Sequence, residues 1–371
     1  MTNAILEAKI QLVMDKLIHL GGADYESDKM ISLKDAMATG NVARDFGIEE
    51  WDWPQGVGLY GLCLLQKYFK DDRFMDFFQN WYQSNLKKGL PSKNINTTAP
   101  YLTLLQIIDT MPEKETYEKM CLEQADWLMK GLPKTQDGGF QHVTSAIGDR
   151  NGVILNEEQL WADTLFMAVL FLQQMGNRYQ NETWQAEAVH QFLVHIKYLY
   201  CKNNGLFYHG YSFIRNDNFG GIFWCRGNSW FTLGVTLFLE NAQNVDAGTK
   251  QFLIDTFRRH AAAMKANQAP SGLFYTILDD PTSYEEVSGT AAIAAGLLRG
   301  IKLGILDDSY IPCAEKAIEA ICENIDTDGT VLNVSAGTGM GMNPEHYKGI
   351  GIRPMAYGQA LTLIALCEAL K

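Results

Sequence analysis

The sequence predicts an all-α protein, an (α/α)6 barrel of six helical hairpins closed into one domain over residues 1–371. Three observations predict it. First, a short turn recurs as Asp137-Gly138-Gly139-Phe140, Asn204-Gly205-Leu206-Phe207 and Ser271-Gly272-Leu273-Phe274, with a weaker copy at Asp328-Gly329-Thr330-Val331. Its glycines lie 67, 67 and 57 residues apart. A polar residue and Gly followed by β-formers reads as a tight turn entering a short extended segment. Second, each interval holds an apolar helix and an amphipathic one. Third, the apolar helices start near Pro54, Thr98, Trp161, Asn228, Ser288 and Pro354, which makes six.

Taken in order, Met1–Leu20 sets Glu7, Lys9, Asp15 and Lys16 among apolar residues and reads as an amphipathic helix, not a signal peptide. Trp161–Met175 and Asn228–Gln243 are apolar on nearly all sides, as befits helices buried between layers. Trp184–Tyr198 and Ala314–Asn324 instead mix charged and apolar residues at helical spacing, the pattern of an outer layer. A linear solenoid is the alternative arrangement. It would carry polar capping repeats, whereas both terminal repeats here are as apolar as the rest.

Composition excludes several classes of function. With 47% hydrophobic and 20% charged residues the chain is not disordered, and no apolar run approaches the ~18 residues of a membrane span. The net charge of −12, without a Lys/Arg run, argues against a nucleic-acid partner. Seven scattered cysteines lack CxxC spacing, so neither a disulfide framework nor structural zinc is expected, and a reducing cytoplasm is the expected compartment. No metal-ligand spacing and no GxGxxG fingerprint occurs, so no cofactor is expected. Oligomeric state is left open.

The unusual residues gather at the starts of the apolar helices: Trp51-Asp52-Trp53, Asn96-Thr97-Thr98, Trp161-Ala162-Asp163, Trp224-Cys225-Arg226 with Trp230, Glu286-Val287-Ser288, and Arg353-Pro354. In a closed ring these N-termini share one end, so their side chains line one mouth to which six helix dipoles present partial positive charge. Such a mouth favours an anion. Tryptophans beside polar groups also suit a sugar, with its apolar CH face and its hydroxyls.

These blocks carry a resemblance. WDWPQGVGLYGL, INTTAP, LWADTLFM, GLFYHGY, FWCRGNSWFTLG, EEVSGTAAIAAGLLRGI and RPMAYGQA, from about residue 45 onward, resemble the unsaturated rhamnogalacturonyl hydrolases of glycoside hydrolase family 105. Their relatives are the unsaturated glucuronyl hydrolases of family 88. The resemblance implies an (α/α)6 fold and removal of a 4,5-unsaturated uronic acid from the non-reducing end of lyase-made di- or oligosaccharides. It also implies vinyl-ether hydration, in which an acid protonates C4, water adds at C5, the hemiketal opens and the neighbouring sugar leaves.

By the same resemblance Asp163 is the acid, and its alternative is a helix-start aspartate held by the dipole. His142 and His209 are implied site residues that orient water or bind the uronate, against satisfied turn histidines. Trp224 and Trp230 are expected to stack on sugar, with Trp53 and Trp161 also binding substrate. Arg226 is a candidate for bidentate contact with the substrate, against a structural salt bridge, and Arg353 joins the binding set. Asn96 stands where some members carry a second aspartate; it can bind a hydroxyl or water but cannot act as a base. Water activation then falls to Asp163 after it has given up its proton. A helix N-terminus lowers an aspartate's pKa, whereas an acid must be protonated, so burial and the substrate's charge have to oppose the dipole. Competing functions are a sugar epimerase, an ordinary glycosidase pairing Asp163 with Asp52, Glu157 or Glu286, and a non-catalytic carbohydrate-binding or scaffold protein.

Overall fold

The computed structural model describes residues 1–21, 47–146 and 149–370. Among these, six helices form an inner ring: α2 (Trp53–Phe69), α4 (Ile95–Ile107), α6 (Leu170–Arg178, entered through a π turn at Leu165–Val169), α8 (Cys225–Asn241), α10 (Val287–Lys302) and α13 (Ala356–Ala369). Each packs against the next, and α13 packs against α2, so the ring closes. Outside it lie α1 (Asn3–Ile18), α3 (Met75–Lys88), α5 (Lys114–Lys130), α7 (Glu182–Leu199), α9 (Ala247–Ala266) and α11 (Ile311–Glu323). A five-residue helix, α12 (Pro344–Lys348), precedes α13.

Five inner helices are followed directly by an outer one, but the sixth pair is not sequential. The C-terminal α13 takes the N-terminal α1 as its outer neighbour. Leu6, Ile10, Val13, Met14 and Leu17 make one buried stripe on α1 at helical spacing, which is why that helix can complete the outer layer. The expectation of six consecutive hairpins is corrected accordingly.

The recurring turns are present in all four copies. Gly138, Gly205, Gly272 and Gly329 have φ between 79° and 104°, the left-handed region that glycine enters without a Cβ penalty. The extended residue two positions later gives its N–H to a helix side chain: Phe140 to Gln191 (2.8 Å), Phe207 to Asn228 (2.7 Å), Phe274 to Thr290 (2.9 Å) and Val331 to Gln359 (2.6 Å). These four buried polar side chains, Gln191 on outer helix α7 and Asn228, Thr290 and Gln359 on apolar inner helices, satisfy the turns.

One element differs in kind from expectation. Trp161 belongs to a strand, β3 (Gln159–Trp161), and the helix begins only at the π turn beyond Asp163. β3 pairs antiparallel with β4 (Gly210–Ser212), while β1 (Val143–Ser145) pairs with β2 (Val153–Leu155) and β5 (Phe274–Tyr275) with β6 (Glu285–Glu286). No helix among the described residues is long and apolar enough to cross a membrane.

Closure of the ring rests on close backbone approach. A Cβ on Gly61 of α2 would lie 2.8 Å from Cβ and 3.0 Å from Cα of Ala360 on α13. Gly→Ala in a helix gains about 1 kcal/mol of propensity, but overpacking costs about 1–3 kcal/mol, and backbone cannot yield as a side chain does. Gly61→Ala should therefore lower the urea midpoint of unfolding. An unchanged or raised midpoint would contradict direct packing of the first inner helix on the last.

Candidate active site

The site lies at the N-terminal end of the inner helices, and two distant segments build its centre. Pairing of β3 with β4 sets Trp161 opposite Gly210, and the Ala162 N–H donates to the His209 carbonyl at 2.9 Å. Asp163 and His209 are therefore neighbours. His209 Nε2 lies 3.3 Å from Asp163 Oδ2, and Trp230 Nε1–H donates to Asp163 Oδ1 at 3.2 Å.

Asp163 is not a helix cap. The amides of Phe166 and Met167 go to its backbone carbonyl at 3.1 and 3.0 Å, leaving its carboxylate to His209 and Trp230. The carboxylate keeps 17% of its side-chain surface exposed, whereas the His209 side chain keeps 2%. Burial pushes the Asp163 carboxyl up, but the hydrogen bond and charge of His209, with a smaller contribution from His142, hold it below the usual range. The π turn that follows is a helix irregularity often found at functional sites.

His142 stacks on Trp161 (centroids 4.3 Å apart, planes 11° apart), and its Nδ1 is 2.9 Å from Thr164 Oγ1. Burial lowers its pKa to about 3 against the opposing attraction of Asp163, so the ring is neutral. The Trp53 ring is half-buried, stacks on Tyr357 at 4.5 Å and meets Trp230 edge-on at 6.3 Å. It is the tryptophan of the mouth with surface to offer a sugar. Asn96 is half-buried on the first turn of α4; the cap of that helix is Asn94, in a reciprocal capping box with Thr97.

Three expectations about binding residues are corrected. Trp230 is fully buried and spends its N–H on Asp163, so it positions the carboxylate and does not form a stacking face. Trp224 is buried beneath His209 (centroids 4.3 Å) and against the Arg226 guanidinium (4.5 Å), with no face left for a sugar. Arg226 itself is 1% exposed. Its Nη1 donates to the Ser335 carbonyl (2.9 Å), to Ser335 Oγ and to Ser288 Oγ (3.3 Å), and its Nη2 to the Ala336 carbonyl (2.8 Å). With Glu286 at 3.9 Å, this is the structural alternative and not a substrate clamp. Arg353 is exposed on the loop before α13, and its backbone N–H donates to Val334 at 2.9 Å; no contact joins it to Asp163.

The other carboxylates weighed as partners are accounted for. Asp52 caps α2 by accepting from the Trp53 N–H at 2.8 Å. Glu286 caps α10 through Ser288 and Gly289 and also accepts the Ser335 N–H. Glu157 is exposed. Two of the six dipoles are thus met by carboxylates of the chain itself, which reduces the positive potential expected at the mouth.

The sequence did not single out Tyr347, Thr164 and Tyr357. Tyr347 Oη lies 2.7 Å from His209 Nδ1. Its segment, 336–351, carries no repeat of the turn pattern, and 138 residues separate the two, so periodicity gave no signal.

A barrel of paired helices with one gripped, partly exposed carboxylate at its mouth fits a carbohydrate-processing enzyme. The model of Glycosyl Hydrolase Family 88 matches residues 29–371, and the chain belongs to that family. It is 31% identical over 350 residues to the unsaturated rhamnogalacturonyl hydrolase YesR of Bacillus subtilis (strain 168), covering 94% of this chain and 96% of that protein. It is 30% identical over 307 residues, 77% of each chain, to an unsaturated 3S-rhamnoglycuronyl hydrolase of Formosa agariphila. Its fold superposes with a TM-score of 0.88 on a possible member of the GH105 family from Salmonella enterica, 34% identical, over 99% of this chain and 94% of that one.

Removing His209 removes the two largest influences that lower the Asp163 carboxyl, its hydrogen bond and its charge, and leaves burial the largest that remains. In His209→Ala the Asp163 carboxyl should titrate at higher pH than in the wild type, as read by carbon-13 NMR of labelled aspartate. An unshifted or lowered titration would show that His209 does not stabilise the ionised form.

Proposed function

We propose that this chain releases a 4,5-unsaturated uronic acid from the non-reducing end of lyase-generated oligosaccharides, with unsaturated galacturonyl-rhamnose the favoured substrate. Asp163 is the proton donor. The observation that carries this assignment is that the Asp163 carboxylate caps nothing, is partly exposed, accepts the Trp230 N–H at 3.2 Å and lies 3.3 Å from His209 Nε2. The hydrolases named above, similar over most of the chain, support the substrate class.

The free carboxyl is held in its ionised form, so binding has to raise its proton affinity. The uronate brings a second negative charge and displaces water, and both effects raise a carboxyl pKa. Asp163 then gives its proton to C4 of the C4=C5 bond while positive charge develops at C5, shared by the ring oxygen. The N–H groups of His209 and Trp230 stabilise the carboxylate as it forms. That carboxylate next accepts a proton from the water adding at C5. The hemiketal opens, and the hemiacetal left at C1 expels the neighbouring sugar. Asn96 and Trp53, half-buried on adjacent inner helices, are assigned to a sugar hydroxyl and a sugar face. A conventional pair of carboxylates is not favoured, because Asp52 and Glu286 are engaged as caps.

Two disaccharides with the same leaving sugar test the proposal, one ending in a 4,5-unsaturated uronate and the other in saturated galacturonate. Only the first should be cleaved, with loss of its ultraviolet absorbance in step with sugar release. Asp163→Asn, nearly isosteric, should stay folded and lose about 10²–10⁴-fold in kcat. Comparable cleavage of both compounds, or normal turnover by the Asn variant, would reject the proposal.

A further inference from the structure

The hydroxyl of Tyr347 has a restricted choice of partners. The Gly341 N–H donates to Oη at 3.1 Å, which occupies one acceptor position. The single hydroxyl hydrogen can then go to His209 Nδ1 at 2.7 Å or to Met340 Sδ at 3.8 Å. The nitrogen is much the better acceptor, since sulfur is weak and distant. A ring nitrogen that accepts carries no hydrogen, so in neutral His209 the hydrogen sits on Nε2. Nε2 is the atom 3.3 Å from Asp163 Oδ2.

We propose that Tyr347 is a positioning residue: by donating to His209 Nδ1 it fixes the imidazole tautomer that carries its hydrogen on Nε2, the nitrogen 3.3 Å from Asp163 Oδ2. The role rests on Asp163 being the proton donor. In that tautomer the imidazole presents a donor, and not a lone pair, to the carboxylate.

The surroundings hold this geometry. Tyr347 is fully buried, and the His209 ring is boxed by Trp224 at 4.3 Å, Trp161 at 5.6 Å and the Tyr347 ring at 5.7 Å. Asn343 caps α12, and Lys348 ties it to Asp280 at 2.6 Å and to Thr282 Oγ1 at 2.8 Å. Gly341 must be glycine, because a Cβ there would lie 2.6 Å from Tyr347 Cε2. The other titratable groups near the pair are His142, which acts on Asp163, and His346, which acts on His209 and is hydrogen-bonded to Thr338 Oγ1 at 2.7 Å.

The test uses the full chain and Tyr347→Phe, which removes one oxygen and keeps the ring. Nitrogen-15 NMR of the imidazoles, with His209 assigned by its Ala variant, should show hydrogen on Nε2 alone in the wild type and a mixture of tautomers in Tyr347→Phe. On an unsaturated disaccharide the variant should lose about 3- to 10-fold in kcat with KM little changed, as for one lost hydrogen bond. The Asp163 limb of its pH profile should move up. In a His209→Ala background the same substitution should cost nothing further. Hydrogen on Nδ1 in the wild type, an unaltered tautomer in the variant, or an equal loss in both backgrounds would overturn the role. The tautomer is read without substrate, so inactivity on unsaturated disaccharides would reject the functional proposal while the tautomer result still decides this one.

Discussion

The antiparallel pairing of β3 with β4 is the constraint on which the site depends. Helices alone would leave Asp163 and His209 on separate hairpins, free to approach only as closely as the packing of α6 and α8 permits. The ladder from Gln159–Ser212 to Trp161–Gly210, extended by the Ala162 N–H to the His209 carbonyl, fixes the two backbones at hydrogen-bonding distance. Gly210 allows this because a Cβ there would lie 2.8 Å from the Leu160 carbonyl oxygen. From that anchor the His209 imidazole reaches the carboxylate, and Trp230, fixed in the buried run Cys225–Leu239 of α8, closes on it from the next helix.

Around this centre the ring of helix N-termini does less electrostatic work than its dipoles suggest, because the chain caps several of them itself. Asp52 and Glu286 bring their own negative charge, and Asn94 and Thr97 share a neutral capping box. Arg226, a buried cation beside Glu286, is directed at the carbonyls of Ser335 and Ala336. Its role is to fasten the 335–336 segment to α8 and, with Tyr357 and Trp224 against its guanidinium, to hold two walls of the mouth. The tuning of Asp163 therefore comes from near neighbours and burial, not from a general positive field.

What was legible beforehand follows from range. The four Gly turns and the six apolar helix starts are local patterns, and all appear in the structure, with helix starts displaced by one to four residues when α6 is counted from its π turn at Leu165. The pairing of α1 with α13 was not legible, since nothing local in an amphipathic helix says which partner it covers. In the sequence Trp161 reads as a helix start, because apolar residues of a short buried strand and of a buried helix look alike. Residue type alone cannot tell a tryptophan that stacks on sugar from one that orients a carboxylate. Burial makes that distinction for Trp53 and Trp230, and hydrogen bonding makes it for Arg226. Tyr347 lay outside every motif and became visible only when folding brought it to His209.

The central claim is that Asp163 protonates a carbon and not a glycosidic oxygen. Turnover of an unsaturated disaccharide in deuterium oxide tests it most directly, with the product followed by proton NMR from the earliest times. Protonation at C4 predicts one deuterium at that carbon, delivered to a single face, in every molecule of product as it first appears. A product that emerges with its C4=C5 bond intact and no deuterium at C4 would contradict the account.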